Sequence, residues 1–142
     1  SMSLWPGYCP THVRILPQHI TELRQWYPQA KVAVHPECRP DVIALADEVL
    51  STGGMCRYAR REDVTQMIVG TEMGIIHRLK KENPGKKFIP VSEQAICPDM
   101  KLIGLEKVLW SLEGMAPEVK VPEEVRLRAK AAVDRMLEIG RG

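Results

Sequence analysis

Four short stretches carry side chains able to do chemistry: Cys9 and His12 in "WPGYCPTH", His35 and Glu37 in "VHPEC", Ser51 and Thr52 in "STGG", and Cys97 in "ICPD". His35 and Glu37 flank Pro36 at alternate positions after "KVAV", so an extended chain puts both on one side. An imidazole beside a carboxylate is a common acid–base pairing; a packed, hydrogen-bonded His35 is the alternative. In "STGG", two hydroxyls, a glycine turn and a following helix start together suit a phosphate or carboxylate. The stretch matches neither the P-loop, since no Lys follows the second Gly at the required place, nor the dinucleotide fingerprint. Thr71, Glu72, Ser92 and Glu93 follow later apolar runs and read either as helix caps or as further site groups.

The four cysteines stand at 9, 38, 56 and 97 with no C-x-x-C, a spacing wrong for a zinc ribbon or finger. In a cytosolic chain they are buried structural thiols, a catalytic thiol, or ligands brought together by the fold, and composition favours the first. Cys9 and Cys97 are each followed by Pro, as at the end of iron–sulfur binding runs, and both fall in loops that could meet. With 20 basic and 18 acidic side chains the chain has no nucleic-acid footprint. No apolar run is long enough to span a bilayer and no signal peptide is visible, so a cytoplasmic location without a membrane partner is expected. "SM" at the start resembles the scar of tag removal.

Positioning these groups falls to an alternation of strands and helices within one domain's length. "ILPQHITELRQWYPQ" carries a helical pattern in Ile20, Leu23 and Tyr27 that Pro28 closes. "KVAV" is a strand. Pro40 and Asp41 open a helix with Val42, Leu45, Ala46 and Val49 on one stripe, ended by "STGG". "MCRYARRED" is a short helix, "VTQMIVGTE" a strand, "GIIHRLKKE" a helix and "KKFIPVSE" a strand. Helical crossovers of this length make the strands parallel, which predicts an α/β three-layer α/β/α domain with a short parallel sheet. Ligands of such sheets sit beyond the carboxyl ends of the strands, where the polar residues above collect.

From residue 101 the pattern is wholly helical, giving C-terminal helices that carry packing rather than chemistry. "KLIGLEKVLWSLEG" puts Leu102, Leu105, Val108, Leu109 and Leu112 on one face, "MAPEVKVP" is an extended linker, and "PEEVRLRAKAAVDRMLEIG" ends at Gly140.

Taken together, "WPGYCPTH", "VHPEC", "STGG", "VGTEMGIIHRLKKENPGKKFIP" and "ICPDMKLIGLEKVLWSLE" resemble the quinolinate synthase family, in order and over nearly the whole chain. The resemblance is to the C-terminal part of that family, whose members are about twice this length and consist of three similar α/β domains. It implies that residues 1–9 end a preceding domain, 10–100 form the third domain and 101–142 a helical tail. It also implies condensation of iminoaspartate with dihydroxyacetone phosphate to quinolinate in de novo NAD biosynthesis. The family uses a four-iron, four-sulfur (4Fe-4S) cluster held by three cysteines, one per domain, with one iron open as a Lewis acid. By position, Cys9 and Cys97 match the second and third cluster ligands. His35, Pro36 and Glu37 match a substrate-touching "HPE" segment, with Glu37 the acid–base group. Ser51 and Thr52 match a "GST" substrate-anion site, with Leu50 standing where the family has Gly. His12 and Glu72 are expected to support the site from behind, and Cys38 and Cys56 to be structural.

The first cluster cysteine and the side chains that the first two domains contribute have no counterpart before residue 9. The expectation is therefore a chain inactive alone, completed by the missing N-terminal domains or by self-association. The competing reading is a small α/β domain that binds a phosphate or dicarboxylate without turnover. A third is an interaction piece whose terminal helices drive self-association.

Overall fold

The computed structural model describes residues 6–140, which leaves "SM" and Trp5 outside the described residues. The chain divides into two compact units, Ser1–Lys101 and Leu102–Gly142. In chain order the first contains α1 (Pro17–Trp26), β1 (Lys31–Val34), α2 (Pro40–Ile43), β2 (Glu48–Val49), α3 (Thr52–Ala59), β3 (Gln66–Gly70), α4 (Ile75–Glu82) and β4 (Lys87–Pro90). The strands form one sheet in the order β2-β1-β3-β4, and every neighbouring pair is parallel. All four carboxyl ends therefore lie along one edge.

Alternation along the strands divides the core into two layers. Val32, Val34, Ile68 and Ile89 face Ile20 of α1 and Val42 of α2, with Leu23 and Tyr27 packed against them. Ala33, Met67, Val69 and Phe88 face Met55, Cys56 and Ala59 of α3 and Ile76 and Leu79 of α4. Both faces are covered, as the apolar strands require. Each fully buried Val, Ile, Leu or Met contributes about 1.5–3 kcal/mol relative to exposure. Local signals set the helix ends. Pro17 and Pro40 occupy first-turn positions, Ser51 caps α3 by accepting from the Gly54 N–H at 3.2 Å, and Gly140 caps the last helix.

The reading of residues 42–54 is corrected at two points. Gly53 and Gly54, read as a turn ahead of the next helix, lie in the first turn of α3. The helix read from Val42, Leu45, Ala46 and Val49 stops at Ile43, and residues 48 and 49 instead form the edge strand β2. Asp47 accounts for the change: its carboxylate accepts from the Val32 N–H at 2.7 Å, and its own N–H donates to the Val32 carbonyl at 2.9 Å. Leu50 N–H then donates to the Val34 carbonyl at 2.9 Å. These bonds to β1 replace those that a longer helix would have made.

The second unit holds α5 (Leu105–Gly114) and α6 (Glu123–Ile139). The periodic apolar face of α5 was expected to pack, yet among the described residues none in either helix is buried. Intrahelical pairs at three- and four-residue spacing, Arg126 with Glu123, Lys130 with Asp134 and Arg135 with Glu138, support α6 locally.

Gly70 ends β3 opposite Val34 of β1. A Cβ there would stand 2.7 Å from Val34 Cγ1 and 3.2 Å from its Cβ, inside a filled layer. Gly70→Ala is expected to destabilise the chain by about 1–3 kcal/mol through overpacking. Urea unfolding checks this, through a lower midpoint at unchanged slope.

Candidate active site

The β1–β3 register sets the centre of the site. Val34 pairs with Gly70, and the next residue's N–H, that of His35, donates to the Gly70 carbonyl at 2.9 Å. His35 and Thr71 therefore leave the sheet side by side. A short helical turn, His12–Arg14, brings His12 over them. Its Nε2 lies 2.9 Å from Thr71 Oγ1, and its ring stacks on that of His35 with centroids 4.4 Å apart and planes 13° from parallel. Glu37 Oε2 stands 3.4 Å from Nδ1 of both imidazoles. The Glu37 N–H donates to His35 Nδ1 at 3.3 Å, which turns the backbone after Pro36 toward the ring. Burial lowers the His12 pKa, helped by the neighbouring His35 and opposed by Glu37, so its ring is held toward the neutral form.

Glu72 is the second fixed point. Its side chain is 10 % exposed, and its carboxylate collects the Gly74 N–H at 2.7 Å, the Cys97 N–H at 3.4 Å and Lys101 Nζ at 3.0 Å. Burial acts against ionisation, but Lys101 and the two N–H donors overcome it and hold the carboxyl below its ordinary pKa. Glu72 thereby ties the end of β3 to the loop that carries Cys97. The Met73 N–H adds a bond to the Ala95 carbonyl at 2.9 Å.

Two cavities open at this edge. One of about 390 Å³ is lined by His12, His35, Glu37, Thr52, Thr71, Glu72, Gly74, Ile75, Met100 and Lys101. A smaller one, of about 130 Å³, is lined by Cys9, Pro10, Thr11, Arg14, Cys97, Pro98 and Asp99. Cys9 connects them, because its Sγ lies within 4.8 Å of donor atoms of His12 and Glu37. A wider hollow of about 620 Å³, at the amino ends of β3 and β4, contains none of the residues singled out in the sequence.

Most of those residues thus converge. Cys9 and Cys97 share one cavity, both as half-buried free thiols, while His12, His35, Glu37, Thr52 and Glu72 share the other. Pro36 and Ser51 are not among the lining residues, and the Ser51 hydroxyl is engaged as the cap of α3. Cys38 and Cys56 are buried. Cys38 Sγ donates to the Gly70 carbonyl at 3.4 Å, and burial pushes its pKa up to about 11, so it stays a protonated thiol. Lys101 was missed. Its signal, one cation shortly after "CP", links to Glu72 only once β3 and the Cys97 loop are placed together.

The fold and these groups define a parallel α/β domain that presents imidazole, carboxylate and thiol groups at the carboxyl edge of its sheet. Comparison with known proteins gives the family. The family described as Quinolinate synthetase A protein matches residues 1–138. Quinolinate synthase from Dehalococcoides mccartyi (strain CBDB1) is 62% identical over 135 residues, covering 95% of this chain and 45% of the relative. The quinolinate synthase of Geotalea uraniireducens is 55% identical over 137 residues, 96% of this chain and 45% of the relative. Quinolinate synthase 1 of Methanosarcina acetivorans is 52% identical over 135 residues, 95% and 44% respectively. The chain belongs to the quinolinate synthase family, and it spans a little under half the length of these curated relatives.

Among the described residues no helix is long and apolar enough to cross a membrane.

Glu72→Ala would leave the Lys101 ammonium and two N–H groups without their acceptor, at an expected cost of about 1–3 kcal/mol near neutral pH. Because the folded-state pKa of Glu72 is lowered, its contribution is present above the unfolded-state pKa and is lost as pH falls through the folded value. Unfolding curves of the two proteins should therefore converge in acid, and alkylation of Cys97 should speed up in the variant at neutral pH.

Proposed function

We propose that this chain supplies the third-domain face of a quinolinate synthase active site, which joins iminoaspartate to dihydroxyacetone phosphate. The overall reaction releases quinolinate, phosphate and two waters, so it demands repeated proton transfers and a place for anionic groups. The observation that carries the reading is the convergence of acid–base and thiol groups on two adjoining cavities, in a chain 62% identical to a quinolinate synthase. Residues 10–100 would be the third domain, 1–9 the end of the one before it and 101–142 the helical tail.

Each side chain has a role that its surroundings support. Glu37 Oε2, beside the Nδ1 atoms of His12 and His35, is placed to take and return protons during tautomerisation and dehydration. His35 touches substrate and orients Glu37. Thr52, in the first turn of α3, and Lys101 face the same cavity and suit a carboxylate or phosphate. Ser51 contributes by fixing the start of α3, and Pro36 by setting the spacing between His35 and Glu37.

Cys9 and Cys97 fit two cysteine positions of a 4Fe-4S cluster, since both thiols open into one cavity beside the substrate face. Such a cluster, when bound, supplies a Lewis-acidic iron able to hold substrate oxygen. Two thiolates fall short of the three the family uses, so a third cysteine from outside these residues would complete the cluster, and these 142 residues by themselves are expected to make no quinolinate. The enzyme would act in NAD biosynthesis in the cytoplasm.

A second reading, a domain that binds a phosphate or dicarboxylate without turnover, is favoured by Thr52 and Lys101 facing one cavity. One experiment separates the two. The chain is reconstituted anaerobically with iron and sulfide, alone and with the N-terminal half of a relative, and quinolinate is assayed. Product only in the combined sample, abolished by Glu37→Gln, is expected. Product from the chain alone would overturn the fragment reading. No product from either sample, with a thermal shift by phosphate or malate, would favour the binding module.

A further inference from the structure

We propose that the hollow at the amino ends of β3 and β4 is a second binding site, which takes a condensed phosphate, free or as the diphosphate or triphosphate tail of a nucleotide. Its volume of about 620 Å³ is in the range of small-molecule sites. Thr65 and Gln66 border it at the start of β3, Lys86 and Lys87 at the start of β4, and Lys80 of α4 and Gly85 of the connecting turn belong to the same wall. From there the strands run roughly 13–17 Å, at about 3.3 Å per residue, to the carboxyl edge. No residue of the hollow lines either cavity at that edge.

The charge of this wall is one-sided. Three lysines line it and no carboxylate does. Glu82, two residues beyond Lys80, is engaged by Arg60 at 3.0 Å and Arg78 at 2.6 Å, and Asp63, two residues before Thr65, by Arg61 at 2.9 Å. Two of the three cations are also held by neutral groups. Lys86 Nζ donates to the Ala59 carbonyl at 2.9 Å and to the Arg61 carbonyl, and Lys87 Nζ sits 4.3 Å from the centroid of the Tyr27 ring. A carbonyl or a ring face fixes an ammonium without cancelling its charge, so a ligand meets cations that are already ordered. An ordinary surface lysine lacks that restraint. A condensed phosphate carries several negative charges within a span that three such cations can share, and the Thr65 hydroxyl and Gln66 amide add donors.

Gly85 is the independent observation. A Cβ there would meet nothing within 4 Å, and among the described residues no glycine has a positive φ, so neither packing nor backbone conformation requires glycine. Its bare backbone leaves the wall of the hollow open to close approach by a ligand, which a side chain would obstruct. The site uses neither the cluster nor the acid–base groups, and it stands or falls separately from the reading of the carboxyl edge.

Titration of the chain with sodium tripolyphosphate, followed by amide NMR at about 0.15 M salt where loose ion pairing is screened, tests it. The signals of Thr65, Gly85, Lys86 and Lys87 should move along one saturable curve. Any change at Thr52 or Lys101 should follow a separate curve, which keeps this site distinct from the anion position at the carboxyl edge. Inorganic phosphate should bind more weakly than tripolyphosphate. ADP moving the same signals more tightly than pyrophosphate would identify a nucleotide tail as the source, and the reverse order a free condensed phosphate. Lys80→Gln should weaken tripolyphosphate binding about two- to fivefold, and Lys81→Gln, on the same helix but outside the wall, by less. Gly85→Val should weaken it several-fold while the urea midpoint holds, because the added side chain meets only the hollow. Shifts that spread over surface lysines without saturating, equal losses in the two lysine variants, or unchanged affinity in Gly85→Val would show adventitious ion pairing only and overturn the proposal.

Discussion

The structure depends on the parallel register of β1 against β3. Because Val34 lies opposite Gly70, the chain leaves both strands at one level, and the His35 N–H to Gly70 carbonyl bond extends the ladder by one residue beyond the strands. That single extension makes His35 and Thr71 neighbours. His12 then needs one hydrogen bond and one stacking contact to join them. An antiparallel pairing of the same segments would have sent the two polar ends to opposite edges. The absence of a side chain at Gly70 permits the close approach on which the register rests.

Burial of polar groups at the same edge comes next. A carboxylate in Glu72's position is stable only because a cation and two N–H donors meet it, and those donors belong to the segments that must be held: the start of α4 and the Cys97 loop. Glu72 thus converts a solvation cost into placement of a thiol. His12 is the opposite case. One nitrogen is satisfied by Thr71, while the other, 3.4 Å from Glu37 Oε2, makes no hydrogen bond among the described residues.

Much of this was legible in the residues. The runs KVAV, VTQMIVGTE and KKFIPVSE and the helices between them predict a parallel sheet, whose strands form at Lys31–Val34, Gln66–Gly70 and Lys87–Pro90. The rule that ligands gather at carboxyl ends points to His35, Glu37, Thr71 and Glu72, which line one cavity, and also to Ser92 and Glu93, which do not. Cys9 and Cys97 were paired by their common Pro neighbour and by resemblance. Periodicity misread 45–49, because Val42, Leu45, Ala46 and Val49 fit a helical stripe as well as a turn followed by an edge strand, and what decides is a tertiary bond from Val32 N–H to Asp47. Lys101 and the unpaired Nδ1 of His12 were invisible for the same reason: each is defined by a partner, or a missing one, far away in sequence.

The fold brings Cys9 and Cys97 into one cavity, as a shared cluster would require. A monosubstituted arsenical, which forms a stable adduct only by bridging two neighbouring thiols, tests it directly when read by mass spectrometry under reducing conditions. One arsenical per chain is expected, resistant to excess monothiol, lost in Cys9→Ala and in Cys97→Ala and retained in Cys56→Ala. An adduct that survives loss of Cys97, or none at all on the folded chain, would contradict it.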